Sequence, residues 1–208
     1  MTAITPDAKL LRNGDLDITS DPSITEIIAF PAGTRAAFLS DCTRLRKIHS
    51  FNAELEVLHL SHCYSLKEMP PLPKGIKVVH AGLCWSLEQF QDLDSYEKLR
   101  LVDVSGCWSI TRFPRLPASL KSFYGGNCKK VQAMPDLPAG LEVLDMRYSP
   151  WLTGMQPLPP KLRRLFVRGC KNLPALPAVP ETVEFFDISE TPFANKMKFG
   201  PKTTVINT

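Results

Sequence analysis

The sequence predicts a β-solenoid, a coil of short similar turns whose strands stack into one parallel sheet. Three observations carry this. The six cysteines, Cys42, Cys63, Cys84, Cys107, Cys128 and Cys170, are separated by 21, 21, 23, 21 and 42 residues, so all of them fall in one register. Apolar residues alternate with others just before each cysteine, and prolines recur at fixed places after it. A fixed period of this length means that each turn buries its apolar face only against its neighbours.

With the cysteine as position 0, Ser149 fills the skipped beat, and Asp21 and Thr191 extend the series to nine. Position −8 carries Leu55, Ile76, Leu99, Leu120, Leu141, Leu162 and Val183. Position −5 runs from Leu16 through Leu58 and Phe123 to Phe186, and position −3 from Ile18 through Leu60 and Gly125 to Ile188. Alternation at −5 and −3 is the period-2 signature of a strand with one buried face. Positions +3 (Ile24 to Leu173) and +6 (Ile27 to Met197) supply apolar residues that point back into the core from the connecting arc. Prolines then stand at +7 (Pro70, Pro114, Pro135, Pro177) and at +10 (Pro31, Pro73, Pro117, Pro138, Pro159, Pro180, Pro201). Proline fixes φ and disfavours helix at the residue before it, so the convex arc is expected to be extended or polyproline-like, with little helix.

The unit that emerges, L-x-x-L-x-L-x-x-C-x-x-L-x-x-L-P-x-L-P-x-x, resembles the leucine-rich repeat family, whose signature is L-x-x-L-x-L-x-x-N/C-x-L. The resemblance covers residues 11–208 and implies a leucine-rich-repeat solenoid of about nine repeats of 21 residues, with the parallel sheet on the concave side. It is closest to the short proline-rich repeats of bacterial type III secreted effectors of the Yersinia outer protein M and Shigella invasion plasmid antigen H kinds. MPDLPAGLEVLDM (134–146) and FPRLPASLKSFYG (113–125) carry that idiom. VDVSGCWSI (102–110) and LFVRGCKNLPALP (165–177) also resemble the last repeats of plant intracellular immune receptors. Two departures stand out: the effectors usually place Asn at position 0, and their repeat is one residue shorter. The ubiquitin-ligase domain that follows the repeats in the second effector kind has no counterpart here, and neither do the nucleotide-binding and signalling domains of a plant receptor.

The ends are atypical, as terminal repeats are expected to be. Residues 1–10 form a tail outside the repeat, and residues 11–208 form one repeat domain. The turn between Cys84 and Cys107 has two extra residues, expected to bulge on the convex side with room for a short helical turn. Residues 201–208 read as the opening of a tenth strand that stops. The start, MTAITPDAKLLRNGDLDI, lacks the apolar h-region of a secretory signal, and no apolar run is long enough for a membrane span. A reducing, cytosolic compartment is therefore expected for the thiols; for an effector, this means secretion into a host cell without a cleaved signal peptide. The net charge of +4 is mild and does not point to nucleic acid.

Cysteines in register repeat a packing role. In the family the position-0 side chain points inward where the chain leaves the strand, and bonds backbone groups otherwise buried unpaired. Ser149 and Thr191 are expected to fill the same role. No C-x-x-C spacing suggests a metal site, and no Ser or Cys arrangement suggests a nucleophile. His59, His80 and Asp103 match the residue types of a two-His-one-carboxylate site, but no outer-shell partner can be named for them. No catalytic residue, metal or cofactor is expected.

The candidate functional residues lie on the concave face and its rim. Along position −4 the row reads Asp17, Phe38, His59, His80, Asp103, Tyr124, Asp145, Phe166 and Asp187. Aromatic and ionisable groups alternate there, on a face where the core does not require them. Tyr64, Trp85 and Trp108 occupy +1 on three consecutive turns, as an aromatic ladder at one rim. Arg147 and Arg168 at −2 and Arg164 at −6, with Lys129 and Lys171 at +1, form a basic patch on the C-terminal half. The expected function is non-catalytic binding of a protein partner across the concave face, a host protein if the chain is a secreted effector. The resemblance also allows a substrate-recognition subunit for a ubiquitin ligase on another chain, or the repeat fragment of a plant immune receptor.

Overall fold

The structure, a computed structural model, describes residues 2–4, 14–195 and 204–206. Its strands, in chain order, are β1 (Thr2–Ile4), β2 (Asp15–Asp17), β3 (Ile24–Ile27), β4 (Ala36–Phe38), β5 (Lys47–Ile48), β6 (Val57–His59), β7 (Val78–His80), β8 (Leu101–Asp103), β9 (Ser122–Tyr124), β10 (Val143–Asp145), β11 (Arg164–Phe166), β12 (Phe185–Asp187) and β13 (Thr204–Ile206). Among the described residues there is no helix. Ten of the strands, β2, β4 and β6 to β13, form one parallel sheet in chain order. The tenth strand expected after Pro201 is β13, paired to β12; Met197 and Pro201 themselves lie outside the described residues.

Each strand pairs only with those of the adjacent turns, and the register keeps equivalent positions opposite one another. Phe38 faces His59, His59 faces His80, and His80 faces Asp103. The register survives the 23-residue turn because the extra length is absorbed on the arc. There the chain makes two tight turns and no helical turn. Tyr96 fills the space: it is 5% exposed, and its hydroxyl donates to the Leu72 carbonyl at 2.9 Å.

The apolar columns read from the sequence are the core. Every −5 residue from Leu16 to Phe186 is at most 2% exposed. At Gly125 the −3 column lacks a side chain, and the rings of Phe113 and Phe123 take the space, edge to face at 5.3 Å. A Cβ on Gly125 would lie 2.9 Å from both rings.

Position −1 is left-handed on every beat. Ser20, Asp41, His62, Leu83, Asn127, Tyr148 and Glu190 have φ between 55° and 64°, and Gly106 and Gly169 have 67° and 68°. Each non-glycine residue there costs about 1 kcal/mol or more. The conformation persists because it aims the N–H at the next turn: His62 donates to Gly82 at 2.9 Å and Tyr148 to Arg168 at 2.7 Å. Gly106 and Gly169 are glycine for a second reason. A Cβ on them would meet the Leu83 and Tyr148 side chains at 2.5 Å.

A second sheet was not legible in the periodicity. β3 and β5 lie on the arc that leaves the concave sheet, and β1 pairs parallel with β3, so the order is β1-β3-β5. The segment Thr2–Ile4, which the repeat pattern assigns to the tail, is thus a strand of this sheet.

Candidate partner-binding surfaces

The cysteine column is a ladder of hydrogen bonds. All six thiols are free and buried. Each donates to the −3 carbonyl of the preceding turn: to Ile18, Leu39, Leu60, Ala81, Val104 and Met146, at 3.1–3.2 Å. Burial pushes Cys42 and Cys170 up to about 11 and Cys84 and Cys128 up to about 12, and raises Cys63 and Cys107 as well. Nucleophiles and metal ligands act as thiolates, which this environment opposes. The expectation that Ser149 and Thr191 play the same part is corrected. The fully buried Ser149 hydroxyl has no partner among the described residues, and Thr191 donates to its own turn, at the Ile188 carbonyl, 2.6 Å away. The C–O bond is shorter than C–S, so a hydroxyl falls short of the previous turn.

On the concave face, β4, β6 and β7 stack their −4 rings. Phe38 and His59 lie 5.0 Å apart between centroids, and His59 and His80 lie 4.6 Å apart, both pairs at 25°. Burial and then the neighbouring His80 hold His59 below the usual imidazole range. His80 Nδ1 is 3.7 Å from Asp103 Oδ2, and Asp103 also accepts from the Ser105 N–H and hydroxyl. The imidazoles stack instead of converging on a point. Among the described residues no group of three or more His, Cys, Asp or Glu is placed to hold a metal ion. Tyr124, half-buried, has its phenol pushed up by burial and then by the charges of Asp145 and Asp103.

The C-terminal half of this face differs from its sequence reading. Asp145 is 3% exposed, so it is not open to a partner. Its carboxylate accepts from Arg147 Nε at 2.9 Å and faces Nη2 at 2.6 Å, and the guanidinium lies 5.3 Å from the Phe166 ring. What the surface presents here is Arg147, with Asp145 beneath as its support. Asp187 is buried in the same way and bonded by Ser189. Arg168 pairs with Glu190 at 2.8 Å, and its guanidinium lies 5.9 Å from Tyr148. Arg164, exposed on β11, takes no part in the ion pairs among the described residues. Of the five cations of the basic patch, Arg147 and Arg168 are therefore held by acids, while Arg164, Lys129 and Lys171 join no ion pair among the described residues.

The rim ladder is continuous. Tyr64 and Trp85 stack at 4.0 Å and 18°, and Trp85 and Trp108 at 4.7 Å and 4°. Its ends are closed by the His62 ring, edge-on to Tyr64 at 5.9 Å, and by Lys129 Nζ, 3.5 Å above Trp108. Beyond the ladder, on the flank where the chain climbs from the concave sheet, stand Arg44, Arg46, Lys47, Lys67, Lys130 and Lys171, all exposed. None of them joins an ion pair among the described residues. The sequence reading missed this surface because it followed the −4 and +1 columns; the signal was available at +2, +4 and +5.

No protein-family model and no curated protein matches the chain. Among solved structures it is similar to YopM from Yersinia enterocolitica WA-314, with a TM-score of 0.72 and 19% sequence identity over 88% of this chain. The matched part spans 39% of that protein, so the chain corresponds to well under half of its length. At this identity the likeness concerns the fold alone. The chain folds as a leucine-rich-repeat solenoid of the kind seen in YopM.

Proposed function

We propose that this protein is a non-catalytic binding module that holds a protein partner across its concave face. The observation that carries this reading is the −4 row. Phe38, His59, His80, Tyr124 and Phe166 are only partly buried, on the sheet face that contributes nothing to the core. Large side chains kept half-exposed on preformed strands lose little freedom on binding, which makes them efficient anchors. His59, His80 and Asp103 supply directional polar contacts beside them. Arg147 and Arg168, fixed in orientation by Asp145 and Glu190, offer their remaining N–H groups, and Arg164 offers a free cation. Tyr64, Trp85 and Trp108 border this face at its rim. The fold, shared with YopM, supports a binding role, and the proline-rich repeats favour a bacterial effector that meets its protein partner in a host cell.

Affinity capture tests the reading. Wild-type protein and the Tyr124→Ala/Phe166→Ala variant are used as baits in parallel host-cell lysates, with circular dichroism as the check on folding. A protein captured by the wild type and reduced at least about tenfold by the variant supports the reading. Identical capture by both baits would exclude the concave face.

A further inference from the structure

We propose that the flank where the chain climbs out of the concave sheet is a docking surface for an anionic phospholipid bilayer. The argument begins with charge. Positions +1, +2, +4 and +5 of the seven turns from Thr43 to Ala175 carry eight cations and two acids, while the whole chain has a net charge of only +4. The rest of the molecule is therefore close to neutral or slightly acidic. The pairing pattern agrees. On the other surfaces Arg35, Lys77, Arg115, Lys121, Arg147, Arg163 and Arg168 each lie within 4.0 Å of an acid, while Lys74, Lys98, Arg100, Lys161 and Arg164 join no ion pair among the described residues. Among the described residues, Arg112 is the one flank cation in an ion pair, with Asp92, and the acids Glu68 and Glu88 pair with no flank cation.

Two further features select a bilayer among polyanions. First, a shallow cavity of about 340 Å³ is lined by Arg46, Ser65, Lys67 and Ser86. The Ser65 hydroxyl is already donated to the Thr43 carbonyl at 2.7 Å, so Arg46, Lys67 and Ser86 supply the free donors. Cations beside a hydroxyl suit a phosphate group. Second, in the adjoining aromatic ladder both faces of Trp85 and of Trp108 are covered, by the neighbouring rings and by Lys129. A nucleobase that needs an open face to stack on finds none on either tryptophan. What the ladder offers outward is ring edges, with Trp85 36% exposed. Tyr and Trp edges beside Lys and Arg are the composition of a membrane–water interface. This surface is separate from the −4 row, so protein partner and bilayer need not compete.

Sedimentation with vesicles tests the proposal. The probes are vesicles of pure phosphatidylcholine and of phosphatidylcholine with one third phosphatidylserine. The full chain should sediment with the anionic vesicles, its tryptophan emission should shift to the blue, and neither should occur with the neutral vesicles. Arg46→Glu/Lys67→Glu should weaken binding at least about tenfold, since each surface cation contributes several-fold. Tyr124→Ala/Phe166→Ala should bind vesicles as the wild type does, which separates this proposal from the concave one. No sedimentation, equal binding to both vesicle types, or unchanged binding of the Arg46/Lys67 variant would overturn it. So would flank-dependent binding of inorganic phosphate or of an RNA oligomer without vesicle affinity.

Discussion

Two regions of this molecule look alike in sequence and behave oppositely in structure. The C-terminal concave face holds Arg147, Arg164 and Arg168, and the climbing flank holds Arg44, Arg46, Lys47, Lys67, Lys129, Lys130 and Lys171. On the concave face two of the three arginines are bound by acids, one of them the buried Asp145. On the flank these cations join no ion pair among the described residues. The difference teaches that a cation's meaning depends on what lies beneath it. Arg147 is a rigid part of the sheet surface, whereas Arg46 is a free charge in water. The same contrast holds for uncharged groups: a donor without a partner costs little on the flank but a good deal at Ser149, in the core.

Asp145→Ala should break this comparison most strongly. It removes the support of Arg147 from beneath, and urea denaturation should show a loss of about 2–3 kcal/mol, short of the full buried-pair value because Arg147 is itself half-exposed. Ser149→Cys should act in the opposite direction. A thiol at this beat restores the ladder bond made on six others, and should raise stability by about 0.5–1 kcal/mol in the same assay. Lys67→Ala and Arg46→Ala should each shift stability by no more than about 0.5 kcal/mol, because nothing in the fold depends on them. A loss near that of Asp145→Ala at either position would erase the distinction between the two regions.

The smallest effect expected is one of pH. His59 is held below its ordinary value by burial and by His80, so the folded state takes up a proton less readily than the unfolded one. Stability should therefore fall as the pH drops below about 6.5, the unfolded value, and His59→Gln should flatten that slope. Unfolding midpoints measured across this range check it; a wild-type slope unchanged by the substitution would show that the stack carries no proton linkage.

The fold was legible because the solenoid writes each turn in the same alphabet. The columns at −8, −5, −3, +3 and +6 needed only counting, and burial follows them. Three things escaped. The strand at Thr2–Ile4 precedes the first beat of the 21-residue register, so counting the repeat could not place it. The role of Ser149 turned on a difference in bond length that residue type does not display. The division of the cations turned on which acid each arginine meets, Asp145 two residues from Arg147 on the same turn and Glu190 on the turn after Arg168, relations that composition averages away. The aromatic ladder was legible as a set of residues, but the closure of its ring faces was not.

The central claim is that partner and bilayer meet different surfaces. Oxidative footprinting of the captured protein complex tests it most directly, because both surfaces carry reactive rings. The account predicts protection of Tyr124 and Phe166, with Tyr64 and Trp85 as reactive as in the free protein. Protection of Tyr64 and Trp85 with Tyr124 left reactive would contradict it, and would make the flank the protein-binding surface.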